Sequence, residues 1–336
     1  MAVPDDRRTL VTGGAGFIGS HLVRRLLDAG RRVVVIDDLS TGRRENLAGP
    51  AGAGDGALDV AWGTVSERLP DLDPASIGAV YHLAAAVGVR LVVERPVETI
   101  ETNVLETSAV LRFAAAAGAP LFLASTSEIY GKSERTPFAE DDDVVYGPTT
   151  LHRWSYACSK AIDEFLALAW HREHGLPVVV GRFFNTVGPG QVGRWGMVLP
   201  RFVAAAAAGR PLEVHGDGDQ VRCFCDVRDV VRVVPRLLED LACHGRVFNV
   251  GHDEPVTIRQ LAERVRDRLG SSSEIVHVPY EEAFGAGFED LRARIPDLTR
   301  VREATGWHAE IPLDETIDAI AAHLASAPPA SEEASR

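Results

Sequence analysis

Short continuous apolar runs alternate with longer helix-period stretches through the first half of the chain. Val33–Asp37, Ala79–Leu83, Leu121–Ser125 and Val178–Arg182 read as strands, and the segments around His21–Ala29, Val97–Ala117 and Tyr156–His174 read as helices between them. Strands separated by helical crossovers predict an α/β fold, a Rossmann-type doubly wound parallel sheet. Beyond Pro189 the alternation stops. Met197–Ala208 and Thr257–Leu269 look helical, Ser271–Pro279 looks extended, and Arg246–Val250 looks like a strand returning to the sheet. The expected organisation is a large domain over 1–186, completed by about 224–254, and a smaller C-terminal α/β lobe over 187–223 and 255–327. Residues 328–336, small and polar, read as a disordered tail, and Gly49–Gly56 as a flexible surface loop.

The opening run Leu10-Val11-Thr12 leads straight into Gly13-Gly14-Ala15-Gly16-Phe17-Ile18-Gly19 and a helix start, and Asp37 closes the next apolar run. Gly13 allows a tight turn, Gly16 lets the backbone approach a pyrophosphate at the helix N-terminus, Gly19 lets helix pack on strand, and Asp37 is placed to bond an adenosine ribose. Strand, glycine turn, helix and acid fall in the order a dinucleotide site requires. The second glycine comes one residue later than in the simplest dehydrogenase pattern, GxxGxxG instead of GxGxxG. The Asp37 carboxylate would repel a 2′-phosphate, which favours NAD as the cofactor. Arg43 and Arg44 read as touching the adenosine edge or solvent.

At 336 residues, 46% apolar and 25% charged, the chain can bury a large core. A formal charge of −13 argues against a nucleic-acid partner, although an acidic protein can gather arginines around a small anionic ligand. Met1–Arg8 is polar and no apolar run approaches the ~20 residues that span a bilayer, so no membrane is expected and the location reads as cytoplasmic. Cys158, Cys223, Cys225 and Cys243 form neither a disulfide ladder nor a paired CxxC pattern. They read as reduced structural thiols, Cys223 and Cys225 on one face of a strand, and no metal is expected.

Tyr156-Ala157-Cys158-Ser159-Lys160 sets a phenol and an ammonium one turn apart on one helix face. A phenol titrates near ~10 in water, so a base at neutral pH needs help from a fixed Lys160 and from the positive ring of an oxidised nicotinamide. Taken alone, the pair reads first as a half-buried tyrosine beside a solvated lysine. It follows the dinucleotide turn, however, and also Ser125-Thr126-Ser127-Glu128-Ile129-Tyr130-Gly131, where an apolar strand ends in a row of hydroxyls. Carboxyl ends of parallel strands are where such sheets hold ligands.

Over nearly its whole length the chain resembles the extended short-chain dehydrogenase/reductase superfamily, the NAD-dependent sugar-nucleotide epimerases, dehydratases and decarboxylases. The resemblance rests on Gly13-x-x-Gly16-x-x-Gly19, His82-Leu83-Ala84-Ala85, Asn103, the Ser-Thr-Ser turn, Tyr156-x-x-x-Lys160, Phe184-Asn185-Thr186-x-Gly188-Pro189 and Gly216-Asp217-Gly218-x-Gln220-x-Arg222. It implies that Thr126, Tyr156 and Lys160 handle the proton of an oxidised sugar hydroxyl, and that Asn185, Arg222 and Arg294 hold the nucleotide diphosphate or the sugar. It also implies cofactor contacts from Phe17, Ile18, Leu83, Tyr156 and Lys160. Thr64 stands where relatives usually place an Asp for the adenine. Thr126-Ser127-Glu128-Ile129-Tyr130-Gly131 is similar to the run carried by UDP-glucuronic acid decarboxylases of the UDP-xylose synthase type, as is Arg153-Trp154-Ser155-Tyr156, whereas 4-epimerases usually have a small hydroxyl residue in place of Glu128.

That resemblance implies a reaction on a UDP-sugar. Oxidising C4 of a glucuronosyl unit makes a ketone β to the C5 carboxylate, and loss of carbon dioxide then leaves a stabilised enolate. Tyr156 would accept the C4 proton, Thr126 would bond the same oxygen, Lys160 would lower the tyrosine pKa and anchor the nicotinamide ribose, and Glu128 would handle a proton at C5. Arg182, Arg222 and Ser127 are expected to orient the carboxylate, with Arg90 as a further contact. Structural roles compete for several of these: a turn cap for Glu128, an ion pair for Arg182, solvation for Arg90. The alternatives are a UDP-glucose or UDP-glucuronate 4-epimerase and, more remotely, a non-catalytic NAD-binding redox regulator. Relatives commonly form homodimers by pairing the two helices at Val97–Ala117 and Tyr156–His174 into a four-helix bundle.

Overall fold

The computed structural model describes residues 7–48, 56–86, 92, 94–193, 197–284 and 291–326; Arg90, most of Gly49–Gly56 and residues 328–336 lie outside them. Seven parallel strands form the central sheet: β1 (Arg8–Thr12), β2 (Val33–Asp37), β3 (Leu58–Trp62), β4 (Ile77–His82), β5 (Leu121–Thr126), β6 (Val178–Phe183) and, from far along the chain, Arg246–Val250. That last strand pairs with β6, so the sheet order runs Arg246–Val250, β6, β5, β4, β1, β2, β3. The chain winds outward in both directions from β1 and β4, and a crevice forms at that reversal.

Burial on both faces explains why these strands are continuous apolar runs. Every residue of β2 is buried. One face is covered by α1 (Phe17–Asp28), whose Leu22, Val23, Leu26 and Leu27 share a core with Val230, Val233, Val234 and Leu237 of a later helix, Val227–Glu239. After the one-turn α2 (Val65–Arg68), the other face is covered by α3 (Pro96–Ala117) and α4 (Ser155–His174). Pro96 opens α3 at the position where a missing N–H costs nothing.

The remainder builds the lobe. It holds helices α5 (Val198–Ala207), α7 (Ile258–Arg268) and α8 (Leu313–Ser326), while α6 (Val227–Glu239) is the later helix already packed with α1 on the sheet. Phe202 and Val203 of α5, Leu261 and Val265 of α7 and Ile317 of α8 share one core. The extended stretch expected over Ser271–Pro279 is a strand at Ile275–Val278, paired in parallel with Leu212–His215. Cys223 and Cys225 do not share a strand as expected. Val221–Cys223 pairs with Pro255–Thr257 and Ala293–Arg294, while Cys225–Asp226 pairs with Thr186–Val187, because the chain crosses between sheets at Phe224. No helix among the described residues is long and apolar enough to cross a membrane.

Candidate active site

A cleft of about 480 Å³ runs from the carboxyl ends of β1 and β2 across β5 into the lobe. At its first end Gly13 turns the chain with φ +70°. A Cβ there would stand 2.7 Å from Ala84 N, and one at Gly19 would stand 2.0 Å from Gly13 O, so both positions require glycine. No side chain caps α1, and Gly16, Phe17, Ile18 and Gly19 line the cleft at its N-terminus, the arrangement that receives a pyrophosphate. Leu83 lines the wall opposite. Asp37 closes β2, its Oδ2 accepting Ala15 N–H at 2.9 Å and its Oδ1 accepting Leu39 N–H at 2.8 Å. Burial pushes its carboxyl above the usual range, against the pull of those N–H groups.

Thr64 also lines the cleft, but its side chain is committed to α2. Its hydroxyl accepts Glu67 N–H at 3.3 Å and Glu67 Oε2 accepts Thr64 N–H at 3.0 Å, a complete capping box. Arg44 is likewise engaged, its guanidinium 4.2 Å from the Trp62 ring centroid.

Midway along the cleft, α4 brings Tyr156 and Lys160 to the end of β5, where Thr126 begins a tight turn at Ser127–Tyr130. Burial pushes the Tyr156 phenol upward, the charges of Glu128 and Asp163 add to that, and the Thr126 hydroxyl and Arg153 oppose it. Lys160 Nζ donates to Asp163 Oδ2 at 2.8 Å inside the protein. Asn103 joins α3 to α4 through Ser159 Oγ at 3.0 Å and accepts Ala86 N–H at 2.9 Å, which fixes the segment after β4.

Glu128 is held from two sides. Its Oε2 meets Arg153 Nη1 at 2.5 Å and its Oε1 meets Arg294 Nη1 at 3.5 Å, with all three side chains at most 15% exposed. Among the described residues, the buried Ser127 Oγ has no hydrogen-bond partner, and Ser127 lines the cleft. At the lobe end Arg222 is buried and Asn185, with φ +29°, donates to Cys223 O at 3.0 Å. Beyond them His215 Nε2 accepts from Arg201 Nη1 at 2.7 Å, and burial pushes the imidazole down to about 4, which keeps it a neutral acceptor at pH 7.

With these features in place, a model of the NAD dependent epimerase/dehydratase family matches residues 9–251. The chain belongs to this family. It is 38% identical over 309 residues, 91% of this chain and 94% of the relative, to a UDP-N-acetyl-alpha-D-glucosaminuronate decarboxylase of Bacillus cytotoxicus. It is 35% identical over 309 residues, 92% of this chain and 86% of the relative, to UDP-glucuronic acid decarboxylase 5 of Arabidopsis thaliana. Among solved structures, a Thermus thermophilus UDP-glucose 4-epimerase complexed with NAD superposes with a TM-score of 0.81 at 30% identity, over 96% of this chain and 100% of that one. The glycine turn, the open α1 N-terminus and Asp37 fit the NAD of this NAD-dependent family.

Thr126, Ser127, Glu128, Tyr156, Lys160, Asn185, Arg222 and Arg294, all singled out from sequence, meet in this one cleft of the epimerase/dehydratase fold. Arg182 does not. Its Nη2 pairs with Glu164 Oε2 at 2.8 Å and its Nη1 donates to Tyr130 Oη at 2.9 Å and to Glu140 O at 3.0 Å, so every face of the guanidinium is spent inside the sheet. The expectation that it orients a substrate carboxylate is therefore corrected to a structural role. Arg90 lies outside the described residues. Sequence reasoning passed over Arg153, Asp163, Arg201 and His215 as site residues. Arg153 and Asp163 had a usable signal, each standing three positions from a residue of the Tyr-Lys pair, one turn along the same helical run.

Proposed function

We propose that this chain is an NAD-dependent decarboxylase that converts UDP-glucuronic acid to a UDP-pentose, UDP-xylose or its 4-keto form. The observation that carries the reading is Glu128, clamped by Arg153 and Arg294 in the same cleft as Tyr156 and Thr126. Epimerisation at C4 needs only the tyrosine couple; chemistry at C5 needs a second proton-handling group, and Glu128 supplies one. The names of the relatives support it, since both act on UDP-uronic sugars and lose the carboxylate.

Bound NAD would supply the hydride acceptance that turns the C4 hydroxyl into a ketone. Tyr156 takes the proton of that hydroxyl and Thr126 hydrogen-bonds the same oxygen. With a ketone at C4, the C5–C6 bond breaks, carbon dioxide leaves, and its electron pair is held as an enolate across C4 and C5. Glu128 and its arginine partners then manage the proton returned to C5. Ser127 and Arg294 face the departing carboxylate, while Asn185, at the passage from the sheet into the lobe, and Arg222, within the lobe, hold the diphosphate end.

Two specific observations keep other substrates in the test. The bacterial relative is named for the 2-acetamido uronic sugar, and the solved neighbour is a UDP-glucose 4-epimerase. The experiment is incubation with NAD and, separately, UDP-glucuronate, its 2-acetamido counterpart and UDP-glucose, followed by product mass. Loss of carbon dioxide from either uronate supports decarboxylation; an unchanged mass with a new C4 stereoisomer replaces it with epimerisation.

The same reading includes a homodimer. Val97, Ile100 and Leu105 on α3 and Ile162 and Phe165 on α4, two helices packed against each other, leave large apolar side chains in solvent, Phe165 being 72% exposed. Two such helix pairs stacked face to face would form a four-helix bundle and bury them. Phe165→Glu is expected to shift the sedimenting species from dimer to monomer.

A further inference from the structure

Lys160 does not face Tyr156 as an isolated cation. Its Nζ lies 2.8 Å from Asp163 Oδ2, and neither side chain is more than 2% exposed. A polar chain backs this pair. Thr12 Oγ1 accepts Ala84 N–H at 3.3 Å and bonds His82 Nδ1 at 2.7 Å, and His82 Nε2 bonds Thr107 Oγ1 at 3.1 Å. Burial pushes the Asp163 carboxyl above its usual range, and the Lys160 ammonium and then the Thr107 hydroxyl pull against it in favour of the charged form. Burial pushes His82 down to about 3, so the ring adds no charge at pH 7.

Among the described residues, the charged groups around the phenol come from α4 and from the turns that flank the site. From α4 come Lys160 and Asp163, from the turn after β5 comes Glu128, and from the turn entering α4 comes Arg153. Arg294 meets Glu128 through one nitrogen, and Arg182 of β6 is paired with Glu164 of α4. An ammonium in contact with a carboxylate acts at a distance as a dipole, much weaker than a bare charge.

We propose that Asp163 is a positioning residue for the Tyr156–Lys160 couple: it fixes Lys160 Nζ and cancels most of the positive charge the ammonium presents to the Tyr156 oxygen. Tyr156 then stays protonated in the empty protein, and arming the base falls to the positive ring of an oxidised nicotinamide. This rests on the reading of Tyr156 as the base, but not on which sugar is turned over.

The test is the ultraviolet tyrosinate band, followed against pH in the sugar-free protein with and without saturating NAD, with Tyr156→Phe as the blank. Asp163→Asn is expected to bring the onset of Tyr156 ionisation down by about 1–2 pH units, the effect of one unbalanced neighbouring charge. Lys160→Met is expected to move it up. The double variant Lys160→Met/Asp163→Leu, which exchanges the buried pair for apolar side chains of similar bulk, is expected to return it to near the wild-type position. An onset in Asp163→Asn at or above the wild type overturns the proposal. So does a double variant that titrates like Lys160→Met, a comparison that stands even if Asp163→Asn fails to fold. A merely structural Asp163 would lower melting temperature in all variants without this sign pattern, and absence of carbon dioxide release would bear on the substrate assignment alone.

Discussion

Arg153 Nη1 lies 2.5 Å from Glu128 Oε2, so the turn that enters α4 is locked by charge to the turn that leaves β5, at the point where Tyr156 meets Thr126. The orientation of the Glu128 carboxyl is thereby tied to the helix that carries the base. If Glu128 serves the C5 step, both Glu128→Gln and Arg153→Met should slow carbon dioxide release more than they slow NADH formation in a single turnover with UDP-glucuronate. Equal slowing of the two signals would place Glu128 in binding instead.

Removing the phenolic oxygen should reach the first step. Tyr156→Phe is expected to cost about 10²–10⁴ in turnover, the usual worth of a general base, while calorimetric affinity for the sugar nucleotide stays near wild type. Turnover close to wild type at saturating substrate would remove Tyr156 from the role.

Asp37 is buried at the carboxyl end of β2 beside the glycine turn, and a carboxylate at that place in a dinucleotide fold disfavours a 2′-phosphate. Calorimetry is expected to show NAD bound in preference to NADP, and Asp37→Ala should narrow that gap while weakening NAD. Equal affinities in the wild type would contradict the carboxylate's part in selection.

Arg182 and Glu164 form a buried pair whose disruption leaves the Glu164 carboxylate of α4 buried without its cation. Arg182→Met should therefore cost about 3–5 kcal/mol of stability in denaturant melts. A raised KM with stability unchanged would restore the sequence-based expectation of a substrate contact.

His82 gives a pH signature of folding. Burial, with the nearby Lys160 charge, lowers its pKa from 6.5 to about 3, so between those values the unfolded chain binds a proton that the folded protein refuses. Stability attributable to this group is complete above pH 6.5 and declines as pH falls through that window, by up to about 1.4 kcal/mol per pH unit. His82→Gln should flatten that slope in melts taken across the range.

The glycine turn, Asp37 and the Tyr-Lys spacing were legible because their geometry is local: a turn, a strand end and one helical turn. Glu128 was legible as a residue but not as a clamped one, since Arg294 reaches it from a strand formed far later in the chain. Arg182 misled for a physical reason. A strand buried on both faces shows no alternation, so nothing in Val178–Arg182 tells which side of the sheet a side chain leaves from. The strands Thr186–Val187 and Leu212–His215 were missed for a similar lack of signal, being only two and four residues long, and Val221–Cys223 and Cys225–Asp226 read as one strand because the break between them is a single residue.

Asn185 deserves a mechanical reading as well as a chemical one. The chain leaves the sheet for the lobe at Asn185 and comes back toward the sheet at Cys223 and Cys225, and these two passages are stitched to each other: Asn185 Nδ2 donates to Cys223 O at 3.0 Å and Cys225 N–H donates to Asn185 O at 3.2 Å. Asp226, next in line, accepts Thr316 Oγ1 from α8 at 2.8 Å and so sews in the far side of the lobe. Such a seam resists swinging about a single strand of backbone. Selection among sugar nucleotides would then fall more to the contour of the cleft than to movement of the lobe, and a substituent too large for that contour would be turned away on arrival.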